Sequence, residues 1–78
     1  MEERILKVID GINEEIRDYK GDNLFEAGLL DSFQVIDLVN ALEEEFDIEI
    51  DAKYVIEENF KTIEAIVSLM QPLDKWRT

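Results

Sequence analysis

Seventy-eight residues are the length of one small domain, and a 46% share of hydrophobic side chains is enough for a core. Cysteine and histidine are both absent, which excludes thiol nucleophiles, disulfides, Cys/His zinc sites and every histidine-dependent acid–base mechanism. Twenty acidic against eight basic residues leave a net charge of −12, so nucleic acid and anionic membranes repel the chain and a basic protein surface attracts it.

The charge is unevenly placed. Ten of the acids, and no Lys or Arg, fall between Gly21 and Ala52. The amino terminus, Met1-Glu2-Glu3-Arg4, is acidic where a secretion signal is basic, and no apolar run approaches the roughly 18 residues of a membrane span. The expectation is a cytoplasmic protein with no direct membrane insertion.

Taken in chain order, four segments carry helical periodicity. In the first, Ile5, Val8, Ile9, Ile12, Ile16 and Tyr19 recur at three- and four-residue steps, which predicts one helix running to a stop at Gly21. Gly11 inside it reads as a point of close packing against another helix. The loop from Asp22 to Asp31 holds Leu24, Phe25, Leu29 and Leu30, too many large apolar side chains for a floppy linker. The second helix is capped by Asp31, with Gln34 three residues on as in a capping box, and buries Val35, Leu38, Val39, Leu42 and Phe46. Glu43, Glu44 and Glu45 crowd its carboxyl end, where the helix dipole disfavours them.

Ala52 to Glu58, capped by Asp51, reads as a short third helix. Thr62 caps a fourth, with Ile63, Ile66, Val67, Leu69 and Met70 on or near its buried face and Pro72 just past its end. The fold class is all-α: a small four-helix bundle with three longer helices, a short third helix and a long ordered loop between helices 1 and 2. Residues 1–72 form the domain and 73–78 a tail in which Trp76 either frays or folds back.

With so few reactive groups, an autonomous enzyme is not expected. Ser68 sits between core residues of the fourth helix, Thr62 is used as a cap, and Tyr19 and Tyr54 read as packing residues. Ser32 differs. It lies at the boundary of loop and second helix, where its hydroxyl is exposed beside the free N–H groups of a helix start, a setting that favours an attached phosphate.

The run Leu24-Phe25-Glu26-Ala27-Gly28-Leu29-Leu30-Asp31-Ser32-Phe33 resembles the phosphopantetheine attachment region of acyl carrier proteins. The likeness continues from Leu38 through Ile50, over the short third helix and to Thr62-Ile63. It implies that 4′-phosphopantetheine from coenzyme A is attached to Ser32, flanked by Asp31, by a phosphopantetheinyl transferase that supplies the magnesium ion and the base. The arm then carries an acyl or aminoacyl group as a thioester, so the cofactor holds the reactive group and the protein presents it. The resemblance further implies a free-standing, monomeric carrier that shuttles intermediates between an activating ligase and downstream transferases or synthases bearing basic patches. Phe33, Ile36, Asp37, Asn40, Glu43 and Glu44 then lie at or near the contact face, with Phe33 and Ile36 its apolar part and contacts that weaken with salt.

Two details point to different cargo. Phe33 and Gln34 stand where fatty-acid carriers usually have leucine and often an acid, and Leu29 to Phe33 looks more like the D-alanyl carriers of teichoic-acid modification. Ala41 to Phe46, however, is similar to the fatty-acid type. A long acyl chain would need a gap near Leu42, Ile50 and Ile63.

Two other classes of function fit parts of the sequence. Asp47, Glu49, Asp51 and Glu58 fall at positions 1, 3, 5 and 12 of an EF-hand loop, but Ala52 replaces the glycine of its sharp turn, so weak divalent-cation binding by the acidic face is the stronger form of that reading. The other is an acidic helical protein-interaction module without a prosthetic group, in which Ser32 is only a cap.

Overall fold

The computed structural model describes residues 2–76, with side chains described through Leu73. The described residues are helical without strands: α1 (Glu2–Ile12), a 3-10 turn (Glu14–Asp18), α2 (Ser32–Phe46), a second 3-10 turn (Ala52–Tyr54), the one-turn α3 (Glu57–Phe60) and α4 (Ile63–Trp76). Helix α1 packs on α2 and α4, and α3 packs on α4. The all-α bundle with a short third helix is therefore as expected, but three element boundaries differ.

The first helix stops at Ile12. Asn13 takes an extended conformation (φ −162°, ψ 107°), and its side-chain oxygen accepts from the Glu15 N–H at 3.0 Å, which starts the 3-10 turn afresh. Its amide nitrogen donates to the Leu29 carbonyl at 3.1 Å, so a contact from the far side of the loop holds the break open. The apolar spacing survives the break because Ile16 still enters the core. Gly11 faces open space, with nothing within 4 Å of where a Cβ would stand, so it is not the close-packing point expected. Gly21 does not end a helix; a Cβ there would run into the Tyr19 ring, which explains why the smallest residue occupies it.

The third helix is also shorter and later than expected. Asp51 does act as a cap, accepting from the Lys53 N–H at 3.0 Å, but it caps only the 3-10 turn. Val55 and Ile56 then leave helical geometry, with Ile56 extended at φ −129° and ψ 155°. Asn59 donates to the Tyr54 carbonyl at 2.8 Å and fastens this reversal, which delivers Phe60 fully buried to the core.

Helix α4 begins as expected, the Thr62 hydroxyl accepting from the Ala65 N–H at 3.0 Å. It does not stop before Pro72 but runs through it to Trp76. Proline removes the bond to the carbonyl four residues back, that of Ser68. Ser68 and Pro72 both lie on the exposed side, where water can serve that carbonyl. The Trp76 side chain and residues 77–78 lie outside the described residues, and so does their expected role.

The core is one cluster. Ile5 and Ile9 of α1 meet Leu38, Leu42 and Phe46 of α2, with Phe60 of α3 and Ile66 and Met70 of α4. Leu24 and Leu30 from the long loop are buried with them, so the loop is ordered because it forms part of the core. Leu24 N–H also donates to the Lys61 carbonyl at 2.7 Å, and the Tyr19 hydroxyl accepts from Asn23 N–H at 3.0 Å while donating to its carbonyl at 2.9 Å.

Candidate functional site

Ser32 is the first residue of α2, and three local features place it. Gly28 turns the chain at φ +76°, a region costly for any residue with a Cβ. Leu30 is then buried and Asp31 takes the N-cap, its carboxylate accepting from the Gln34 N–H at 2.9 Å. With Asp31 bound to the third N–H of the helix, those of Ser32 and Phe33 have no intrahelical acceptor by position. Ser32 itself is exposed.

Beside it lies a cleft of about 340 Å³, lined by Ser32, Val35 and Ile36 of α2, Phe25 of the loop, and Val55, Ile56 and Glu57 leading into α3. That volume is at the small end for ligand sites, which span roughly 300–1,000 Å³. The lining is apolar apart from Ser32 and Glu57, and holds no basic side chain. Asn23 joins its two walls: its oxygen accepts from the Phe25 and Glu26 N–H groups at 3.0 and 3.2 Å, and its nitrogen donates to Glu57 Oε2 at 3.2 Å.

The outer face of α2 carries two large exposed apolar side chains, Phe33 at 81% and Ile36 at 55%. Neither is a core residue. Asp37, Asn40 and Glu44 are exposed on the same helix. Glu43 is half-buried and its carboxylate accepts from the Ile50 N–H at 2.7 Å, so one of its oxygens is engaged within the domain. Ile56, 51% exposed, is a third large apolar side chain on the surface that the sequence pattern does not single out. Its position between Val55 and Glu57 reads as helical in sequence, and only its extended backbone turns it outward.

The acids of the EF-hand spacing do not converge. Asp47 sits at the left-handed end of α2, Asp51 caps the 3-10 turn and Glu58 pairs with Lys61 at 3.4 Å. Among the described residues, no group of three or more acidic side chains is placed to hold a metal ion. Among the same residues, no helix is long and apolar enough to cross a membrane.

The exposed Ser32 hydroxyl stands at a helix start, next to a cleft and at the end of a loop anchored in the core, open to approach from outside the domain. That is the architecture of a carrier domain. The chain belongs to the phosphopantetheine attachment site family, whose model matches residues 3–70, and members of that family are non-catalytic carriers of covalently attached 4′-phosphopantetheine. Among its relatives, the D-alanyl carrier protein of Streptococcus uberis is 32% identical over 74 residues, 94% of either chain. That of Streptococcus mutans is 33% identical over 64 residues, 81% of either chain, and that of Lactobacillus acidophilus 27% identical over 71 residues, 90% of either chain. No solved structure matches the chain significantly.

The site fits the group. The unpaired N–H groups at the start of a 15-residue helix suit a phosphodiester on Ser32, and the adjacent cleft suits the methylene and amide chain beyond it.

Proposed function

We propose that this chain is a free-standing aminoacyl carrier of the D-alanyl type, modified on Ser32. The observation that carries the reading is the placement of Ser32, exposed at the first position of α2 and opening onto the 340 Å³ cleft. In the modification, Ser32 Oγ forms a bond to the phosphorus of coenzyme A that bears the pantetheine arm. The bond between that phosphorus and the bridging oxygen breaks, the adenosine bisphosphate leaves, and the hydroxyl proton passes to a base of the transferase. Once attached, the arm supplies a terminal thiol that holds the cargo as a thioester.

The chain's own residues present and orient. Asp31 holds the helix start on which Ser32 stands, and the negative field of the Gly21 to Ala52 stretch draws basic partner surfaces. Phe33, Ile36, Asp37, Asn40 and Glu44 form the docking face of α2, with Glu43 at its edge and Ile56 extending it across the cleft. Partners are the phosphopantetheinyl transferase, an activating ligase and a downstream transferase. A net charge of −12 supports a monomer, and the need for coenzyme A supports a cytoplasmic location.

An amino acid is favoured over a long acyl chain on two grounds. The named relatives are D-alanyl carriers, and Leu42 and Ile50, where a long chain would have to enter, are packed in the core.

The test is an intact-mass spectrum after incubation with coenzyme A, magnesium and a broad-specificity transferase. The expected result is a gain of one phosphopantetheine in the wild type and none in Ser32→Ala. A folded wild-type protein that stays unmodified, with its native transferase also tried, supports the acidic interaction module instead.

A further inference from the structure

Glu57 is the one acidic side chain lining the cleft at Ser32, where it is exposed and has no basic side chain beside it in the lining. It makes no ion pair among the described residues; its single partner is the neutral Asn23 amide, 3.2 Å from Oε2. The two lysines nearest in sequence are engaged elsewhere. Lys53 lies over the Tyr54 ring at 5.2 Å, and Lys61 pairs with Glu58 at 3.4 Å. A carboxylate fixed on one oxygen by an amide, at the edge of an apolar lining, is a fitted acceptor for a compact cation.

We infer that Glu57 is a specificity-determining residue of the cleft, receiving the α-ammonium of an aminoacyl group when the arm on Ser32 folds back along Phe25, Val55 and Ile56. The inference rests on the proposed modification of Ser32 and goes beyond it by naming the residue that distinguishes charged from neutral cargo. The occupant is set by the tether, because Ser32 itself lines the cleft. It is also set by charge: with an acid and no base in the lining, a carboxylate-bearing cargo is repelled, and a neutral acyl group gains only apolar contact. Asn23 acts as a positioning residue, since the bond that orients Glu57 also ties the Ser32 loop to the segment entering α3.

The test compares two arms loaded onto the full chain, joined through a stable amide in place of the thioester. One ends in alanyl, the other in propionyl, which has the same shape without the amine. The readout is the backbone amide resonances of Asn23, Ile56 and Glu57 relative to the unloaded arm. The alanyl arm is expected to shift all three, with a docked population about two- to five-fold above that of the propionyl arm, the ratio an exposed ion pair supports. Glu57→Gln keeps the shape and is expected to bring the two arms to the same shifts, as is high salt in the wild type. Equal shifts for both arms in the wild type overturn the inference, as does an alanyl-specific shift that survives in Glu57→Gln. A chain that accepts neither arm on Ser32 fails at the mass spectrum, which removes the carrier reading and this inference together.

Discussion

Arg4, near the start of α1, closes the carboxyl end of α2 by gripping Glu45. Its Nε lies 2.9 Å from the Glu45 carboxylate, a second nitrogen donates to the Glu45 backbone carbonyl, and the guanidinium sits 4.4 Å from the centre of the Phe46 ring. One cation thus meets a helix-end carbonyl, a misplaced glutamate and an aromatic face. Glu43 is settled separately by the Ile50 N–H, leaving Glu44 as the one fully exposed acid of the three. Replacing Arg4 by alanine is expected to lower stability by about 1 kcal/mol, since a half-exposed pair and a cation–π contact each contribute less than that. Urea denaturation in low and high salt checks it; the deficit narrows with salt as the ion-pair part is screened.

Asp47 ends α2 in the left-handed region, at φ 54° and ψ 52°, while Ile48 N–H reaches back to the Glu43 carbonyl at 3.1 Å. This is the position where helices favour glycine, and a negative charge there also opposes the dipole. Asp47→Gly is expected to stabilise the fold by about 0.5–1 kcal/mol. A lower melting temperature in the variant would show that the Asp47 side chain has a compensating role.

Gly28 is the converse case. Its φ of +76° precedes the buried Leu30 and the Asp31 cap, so strain there is transmitted to the start of α2. Gly28→Ala is expected to cost about 1–2 kcal/mol and to slow transfer to Ser32, whereas Ser32→Ala leaves stability nearly unchanged because Asp31 still caps the helix. Melting curves and transferase rates on the same two proteins separate the effects.

Asp10 and Arg17 bridge α1 and the following 3-10 turn, with Arg17 Nη2 2.7 Å from Asp10 Oδ2 and Nε 3.1 Å from both oxygens. The hydrogen bonds from Arg17, opposed by desolvation and assisted by its charge, hold the Asp10 carboxyl below its ordinary range. A lowered folded-state value means that the pair stabilises above the unfolded-state value and loses that stabilisation as pH falls through the folded one. The melting-temperature gap between wild type and Asp10→Asn is therefore expected at neutral pH and to narrow as pH falls below the ordinary carboxylate range. A gap that persists in acid would mean the pair matters through shape rather than charge.

The net charge itself gives a further expectation. Added NaCl screens the repulsion among the acids, so the melting temperature of the free domain rises with salt while partner binding weakens. Thermal melts and binding titrations over the same salt series test both halves, and a melting temperature that falls would contradict the first.

What the sequence determined by itself was local. The start of α2, its cap at Asp31, its buried stripe from Val35 to Phe46 and the cap of α4 at Thr62 depend on neighbours within one or two turns. The proposed attachment serine, Ser32, stands out in sequence for the same reason, since cap, loop and helix start are contiguous in the chain. Tertiary structure decided the rest. Helix α1 breaks because Asn13 finds a carbonyl sixteen residues away at Leu29. The third helix shrinks because the Tyr54 carbonyl takes the Asn59 amide and Phe60 is drawn into the core. Helix α4 passes through Pro72 at a point where Ser68 and Pro72 both lie on its exposed side. Glu57 reaches the Ser32 cleft only through the folding back of a segment twenty-five positions further along the chain. Periodicity records which side chains are apolar, whereas these outcomes depend on which polar group of a distant segment arrives within hydrogen-bonding distance, and that is known only once the core has closed.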